Sequence, residues 1–293
     1  MKLRALAKIN LGLDVVRKRE DGYHEVRMVM QTIQMYDQLE ILPGEEPGIR
    51  IRTNLPYLPC NENNLVYKAA HLLMEEFGIE EGVQIQLNKF IPVAAGMAGG
   101  SSDAAATLVG INKIFRLGLS MEELMERGVR IGADVPYCVM RGTALAEGIG
   151  EKLTALPQMP FCYVLIGKPG INVSTKFVYG NLHLDETICH PDIDGMIQAI
   201  RDQDLRGITD RMGNVLETVT CPAYPVIDQI KEHMMKHGAV NAMMSGSGPT
   251  VFGIFDDREK AQYACEKLKE SGLSRQTFLT TVSRTGGGRH GEK

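Results

Sequence analysis

Residues 2 to 16 alternate between apolar and polar types. Leu3, Ala5, Ala7, Ile9, Leu11 and Leu13 fall on one side of a period-two pattern, and Lys8, Asn10, Gly12 and Asp14 on the other. The pattern predicts a strand with one buried face and one polar face. Asp21-Gly22 is a turn signal that joins it to the apolar-rich run Val26 to Met35. Gln38 to Leu42 and Gly48 to Thr53 read as two further short strands. Pro56 and Pro59 break the pattern. Asn61 to Asn64 then supplies a cap for a helix through Leu65, Ala69, Leu72 and Leu73, with Gly78 as its stop. Val83, Ile85 and Leu87 alternate again as a strand.

The stretch Pro92-Val-Ala-Ala-Gly-Met-Ala-Gly-Gly-Ser-Ser-Asp-Ala-Ala-Ala-Thr107 begins as a loop and ends as a helix. Gly96, Gly99 and Gly100 permit backbone angles that side chains forbid, and they let the main chain approach a ligand closely. Ser101 or Ser102 is the expected helix cap, with Asp103 in the first turn. Ala104 to Ala106 carry the helix on through Leu108 and Ile111. A small-residue loop feeding a helix N-terminus leaves N–H groups free for an anion, usually phosphate. A flexible turn before an alanine-rich helix is the plainer account. No Gly-x-x-x-x-Gly-Lys-Ser/Thr is written here, so a P-loop is set aside. Neither the βαβ unit nor the acidic residue of a dinucleotide fingerprint is evident.

Ser120-Met-Glu-Glu123 fits a capping box and opens another helix, to about Arg127. In Gly132-Ala-Asp-Val-Pro136 an aspartate interrupts an apolar stretch. Buried without a partner it is costly, so it has a partner or a use, unless it only caps a loop. The texture changes past Leu156-Pro-Gln-Met-Pro160, which divides the chain into 1–157 and 158–284, with 285–293 read as a disordered tail. Phe161 to Gly167 reads as a buried strand, and helical stretches follow over roughly 192–201, 204–219 and 224–237. Residues 239 to 283 read strand, Gly-Ser-Gly turn, strand, helix, strand. His233 and His237 have a spacing that can bind metal, but no further ligand accompanies them, and a solvated helix face is the reading.

Composition narrows the classes. With 293 residues, 44% hydrophobic and 23% charged, the chain can bury a substantial core. A net charge of −4 without a basic run argues against broad nucleic-acid binding. No apolar run approaches the ~20 residues of a membrane span, and Lys2, Arg4 and Lys8 sit where a signal peptide would need an apolar core. Six scattered cysteines with no Cys-x-x-Cys read as reduced thiols of a cytoplasmic protein.

Three segments together resemble the ordered motifs of the GHMP kinases (galacto-, homoserine, mevalonate and phosphomevalonate kinases). Ala7-Lys8-Ile9-Asn10-Leu11 is similar to the first motif, and the stretch from Pro92 to the second, with Met97 and Ala98 where Leu and Gly are common. Met243-Met-Ser-Gly-Ser-Gly-Pro-Thr250 is similar to the third. The resemblance spans about residues 5 to 283. It implies an α+β fold of two domains, the first like the ribosomal S5 second domain and the second ferredoxin-like. It also implies transfer of the γ-phosphoryl group of ATP, with Mg2+, to an alcohol in the cleft between them. Lys8 and Asp134 would be the catalytic pair, Asp134 taking the hydroxyl proton and Lys8 steadying the developing charge. Pro92, Val93, Ala94, Ala95, Gly96, Met97, Ala98, Gly99, Gly100, Ser101 and Ser102 would hold the nucleotide, with Asn64 and Lys89 beside it. Asn64 is equally well a plain N-cap. Glycines 246 and 248 would line the same cleft. Ser101 and Ser102 are candidates for magnesium, whose ligands are otherwise unknown.

Asp21-Gly-Tyr-His24 narrows the resemblance to the branch of the family whose acceptor carries a cytidine. Tyr23 would stack on the base, His24 would hydrogen-bond it, and Asn10, Asp134, Thr175 and Tyr179 would complete the acceptor site. Read locally, Tyr23 and His24 are ordinary edge residues and Tyr179 an ordinary helix residue. The implied acceptor group is the 2-hydroxyl of a cytidyl-diphosphate-linked methylerythritol, in the non-mevalonate route to isoprenoid precursors. The implied partners are ATP and that small molecule, with no nucleic acid and no membrane, for a monomer or homodimer. A homoserine- or mevalonate-type kinase shares the loops but has no need of Tyr23, His24 and Tyr179. A GHMP-fold sensor without turnover is the other alternative, and an intact Lys8 and Asp134 count against it.

Overall fold

The hairpin at the N-terminus is longer than its pattern promised. In the computed structural model, which describes residues 1–185 and 188–283, β1 (Lys2–Lys18) pairs antiparallel with β2 (His24–Gly44). The 285–293 tail lies outside the described residues. The expected separate strand at Gln38 to Leu42 is the second half of β2. Asp37 does not end the strand because its carboxylate is satisfied in place. It takes the Lys89 ammonium and the N–H groups of Phe90 and Ile91.

β1 also departs from the single apolar face. Register shifts between Leu6 and Lys8, between Asn10 and Gly12, and between Val15 and Arg17 turn the strand over. Leu3, Ala5 and Leu13 therefore pack in one core cluster, and Ala7, Ile9 and Leu11 in another. The polar side is not solvated either, since Lys8 and Asn10 are buried.

β3 (Ile49–Thr53) and β4 (Gly82–Asn88) extend the sheet beyond β2, while β5 (Thr143–Gly148) and β6 (Lys152–Ala155) pair along the other half of β2. Four helices accompany this sheet: α1 (Leu65–Glu76), α2 (Gly99–Ile114), α3 (Met121–Val129) and α4 (Val135–Met140). α1 is capped by Asn64, whose side chain accepts from Val66 N at 2.9 Å, and α3 carries the full Ser120–Glu123 capping box. α2 differs from expectation. It begins at Gly99 after Ala98, and no side chain caps it. Ser101, Ser102 and Asp103 are already inside the helix because Ala98 takes the left-handed conformation (φ +53°) and starts the helix early.

In the second half β7 (Tyr163–Lys168) leads into α5 (Thr175–Gly180) and α6 (Ile193–Arg201). The helix expected over 204–219 is instead α7 (Leu205–Thr209), the two-residue β8 (Gly213–Asn214) and α8 (Glu217–Ala223). The break has a tertiary cause: Gly213 and Asn214 pair parallel with Gly12 and Leu13, adding a strand to the first sheet. α9 (Val226–Lys236), β9 (Asn241–Met244), β10 (Val251–Phe255), α10 (Arg258–Ser271) and β11 (Gln276–Thr281) complete the chain. Strands β11-β7-β10-β9 form an antiparallel sheet in that order, the ferredoxin-like arrangement. Ile9 and Leu11 of β1 pack with Val164, Ile166 and Phe252 of the second sheet in one core cluster, so the two sheets share apolar packing. No helix among the described residues is long and apolar enough to cross a membrane, and each of the six cysteines is free.

Candidate active site

A cleft of about 930 Å³ is lined from both halves of the chain. One wall is the glycine loop and the start of α2. The N–H groups of Gly99, Gly100 and Ser101 precede the first bond of the helix, from Ser102 N to Ala98 O at 2.8 Å, and these residues line the cleft. A helix start of this kind favours anionic groups. The loop is locked against the third glycine-bearing segment. Gly96 has φ +73°, and a Cβ there would stand 2.1 Å from Ser245 O. The Ser245 hydroxyl donates to Gly96 O at 2.9 Å, and Asn214 Nδ2 donates to Met244 O and Gly246 O at 2.9 and 2.8 Å.

Pro92, Val93, Ala94, Ala95, Gly96, Ala98, Gly99, Gly100 and Ser101 line the cleft, as do Asn64 and Lys89. Met97 and Ser102 are turned away from it. Met97 is buried in the second core cluster, and the Ser102 hydroxyl donates to Leu6 O at 2.7 Å. Of the two glycines of the third segment, Gly246 lines the cleft, whereas Gly248 packs on Met244 and Thr220.

Lys89 sits in a buried ionic cluster at the base of this wall. Its ammonium pairs with Asp37 and donates to Asp103 Oδ2 at 2.6 Å. Burial opposes the charge on Lys89, and the two carboxylates outweigh it, so its pKa is raised. Burial drives the Asp103 carboxyl well above the usual carboxylate range despite the attraction of Lys89. Asp103 Oδ1 is buried without a hydrogen-bond partner. Asn54 holds the Lys89 backbone from both sides, accepting from its N–H at 2.8 Å and donating to its carbonyl at 3.1 Å. Sequence reasoning did not foresee this cluster. The available signals were a lone aspartate in an apolar strand and a lysine just before a glycine loop.

Lys8 and Asp134 meet across the cleft at 3.9 Å. Lys8 is buried, and its nearer partner is Asn10 Oδ1 at 2.7 Å, so the β1 bulge presents the lysine and its orienting amide together. Its backbone N–H donates to Met97 O at 3.2 Å, which ties the strand to the glycine loop. Asp134 stands at the start of α4. Tyr137 one turn later fixes that helix, donating to Gly142 O at 2.7 Å and meeting the Thr32 hydroxyl at 2.9 Å.

The other end of the cleft is aromatic. The His24 and Tyr179 rings lie 5.0 Å apart at 41°, and Tyr23 beside them is 60% exposed, a free aromatic face. Burial and, second, the Lys18 charge lower the His24 pKa, which favours the neutral imidazole, a form that can both donate and accept. Burial, then the Asp134 charge, pushes the Tyr179 phenol up to about 12. The Thr175 hydroxyl is 2.9 Å from that of Ser247, joining α5 to the third segment. The structure thus brings Asn10, Tyr23, His24, Asp134, Thr175 and Tyr179 into one cavity with the glycine loop. Lys18, Asn63, Lys176 and Ser247 line it too. Asn63 and Ser247 lie inside segments the sequence singled out, whereas Lys18 and Lys176 escaped it because isolated polar residues carry no pattern.

A glycine loop that opens a helix, a Lys–Asp pair and a second glycine-bearing segment thus share one cleft, and the chain's relatives are small-molecule kinases of one family. The family's N-terminal domain, described as "GHMP kinases N terminal domain", matches residues 64–142, and "GHMP kinases C terminal" matches residues 196–273. The chain belongs to the GHMP kinases. It is 60% identical to the 4-diphosphocytidyl-2-C-methyl-D-erythritol kinase of Lachnospira eligens over 96% of this chain and 97% of that one. It is 50% identical to the enzyme of the same name from a Geobacillus species, over 96% of each chain. A crystal structure of 4-(cytidine 5'-diphospho)-2C-methyl-D-erythritol kinase superposes with a TM-score of 0.83 at 31% identity, covering 98% of this chain and all of that one. A homoserine kinase from Cytophaga hutchinsonii shares the fold, with a TM-score of 0.76 at 19% identity over 96% of this chain and 94% of that one.

Proposed function

We propose that the protein transfers the γ-phosphoryl group of ATP to the 2-hydroxyl of 4-diphosphocytidyl-2-C-methyl-D-erythritol, a step toward isoprenoid precursors in the cytoplasm. The observation that carries this reading is the aromatic end of the cleft. His24 and Tyr179 pack together with Tyr23 beside them, a set that frames a flat base and has no use in a homoserine or mevalonate kinase. The relatives' printed name points to the same acceptor.

The N–H groups at the start of α2 hold the phosphates of ATP and stabilise the charge that develops on the transferred group. Asp134 takes the proton of the acceptor hydroxyl, and Lys8, 3.9 Å away, offsets the charge on the attacking oxygen. Catalytic contacts of this kind tighten when substrate binds, so the long pair is no obstacle. Asn10 keeps the Lys8 ammonium aimed at the site. Magnesium would be held by Asp103 Oδ1, a buried oxygen with no other partner, and by the Ser101 hydroxyl on the same wall, where it would neutralise phosphate charge. Hard oxygen donors of this kind, with the nucleotide phosphates supplying the rest, suit Mg2+.

Coupled ADP release from magnesium-ATP tests the reading, with the cytidyl acceptor, homoserine and mevalonate run in parallel. Release with the cytidyl compound alone is the expected result. Release with another acceptor would keep the mechanism and discard the acceptor, and ATP binding without release would make the protein a sensor.

A further inference from the structure

Four lysines line the cleft: Lys8, Lys18, Lys89 and Lys176. Two are committed to carboxylates, Lys8 to Asp134 and Lys89 to Asp37 and Asp103. Lys18 and Lys176 have no carboxylate partner among the described residues, and both are exposed. Their positions are not arbitrary. Lys18 ends β1 and stands directly opposite His24 in the β1–β2 register, so the two side chains leave the sheet on the same face. The Lys18 charge is felt there, since it helps to lower the His24 pKa. Lys176 lies three residues before Tyr179 in α5, a spacing that makes the two neighbours on the helix surface. With the His24 and Tyr179 rings 5.0 Å apart, each member of the ring pair has a lysine as its neighbour, Lys18 across the strand pair and Lys176 along the helix.

The carboxylates that line the cleft, Asp103 and Asp134, belong to the glycine-loop wall and the catalytic pair. Among the described residues that line the aromatic end there are these two ammonium groups and no carboxylate. We propose that Lys18 and Lys176 form the diphosphate subsite of the acceptor, taking the acidic oxygens of a pyrimidine nucleoside diphosphate whose base rests on the ring pair. The proposal rests on the cytidyl reading of the acceptor and extends it from the base to the phosphates. Backbone N–H groups of α2 serve the phosphates of ATP, whereas a second phosphate group, at the aromatic end of the cleft, would meet these two cations among the described lining residues. Flexible lysines suit that task, since an ammonium binds phosphate as a point charge without the fixed geometry of an arginine.

The test is competition against phosphorylation of the cytidyl acceptor by cytidine and by cytidine 5'-diphosphate. It uses the full-length wild type, K18Q, K176Q and the double variant, with the KM for ATP measured in each. In the wild type the diphosphate should compete better than the nucleoside. Each single variant should lose about ten-fold of that advantage, the size of one charge-assisted contact. The double variant should bind the two competitors alike, with cytidine competition and the KM for ATP unchanged. The arginine pair K18R/K176R should recover most of the advantage. Survival of the advantage in the double variant would overturn the proposal, and so would a rise in the KM for ATP with acceptor kinetics intact, which would assign the lysines to the triphosphate. A wild type indifferent to both competitors would overturn the cytidyl reading together with the proposal, and competition by both at equal strength would overturn the proposal alone.

Discussion

Replacing Lys89 by methionine keeps the length of the side chain and removes its charge. Asp37 and Asp103 would then share a buried space with no cation between them. Breaking a buried pair by removing one partner costs about 3–5 kcal/mol, because the charge left behind is uncompensated. At the ~2–4 °C per kcal/mol usual for domains of 150–250 residues, the melting temperature should fall by on the order of 10 °C at neutral pH. The sign of the pH dependence follows from Asp103, whose carboxyl is pushed by burial well above the usual range. A carboxyl with a raised folded-state pKa binds its proton more tightly when folded. Its favourable contribution is present at low pH and is lost as pH rises through the folded value. In the wild type Lys89 offsets part of that loss, and in K89M nothing does. The deficit of K89M should therefore be largest at neutral pH and shrink as the pH falls toward the ordinary carboxylate range. Urea unfolding at pH 7.5 and pH 5, with K89M and K89M/D103N beside the wild type, reads this directly. The second substitution should return more than half of the lost stability at pH 7.5. A deficit below about 1 kcal/mol, or one equal at the two pH values, would refute the account of the cluster.

Asp134→Asn leaves the shape of the site and removes the proton acceptor. Turnover should fall about 10²–10⁴-fold, the range for general-base catalysis, while ATP binding measured by calorimetry stays within two-fold, roughly the wild-type value. Gly96→Ala should do the reverse. Its Cβ would meet Ser245 O at 2.1 Å, forcing the two loops apart, and the KM for ATP should rise at least about ten-fold. Gly118→Ala is the control, with a similar φ of +74° but open space around it, so it pays only the left-handed backbone cost of about 1–2 kcal/mol and should leave the KM for ATP unchanged.

Much of this site was legible along the chain because its chemistry is packed into short runs. A glycine-rich run followed by alanines says loop then helix whatever surrounds it, and α2 follows from residue 99 to 114. Asn64 and the Ser120–Glu123 box mark helix starts through bonds within three residues of one another, and both are made. Lys8 with Asn10, Tyr23 with His24, and Asp134 before Val135-Pro136 stood out for the same reason. Elsewhere local pattern misled. Gln38 to Leu42 looked like a strand separate from the run ending at Met35, and the run at 204–219 looked like one helix. In both places a partner distant in sequence, Lys89 in one case and Gly12 with Leu13 in the other, decided the outcome. The serine cap failed because it depended on the backbone angle of Ala98, which side-chain type did not reveal.

By itself the sequence determined the elements whose bonds close locally, and the identity of the groups that carry the chemistry. Only the tertiary structure decided which of those groups meet. The bulges of β1 turn Lys8 and Asn10 into a buried cleft where plain alternation would have put them in water. The contact of Gly96 with Ser245 joins loops 149 residues apart. The ring pair of His24 and Tyr179 exists because α5, far along the chain, folds back over the first hairpin. Periodicity records which side of an element a residue occupies, and it holds no information about what another element brings to that side.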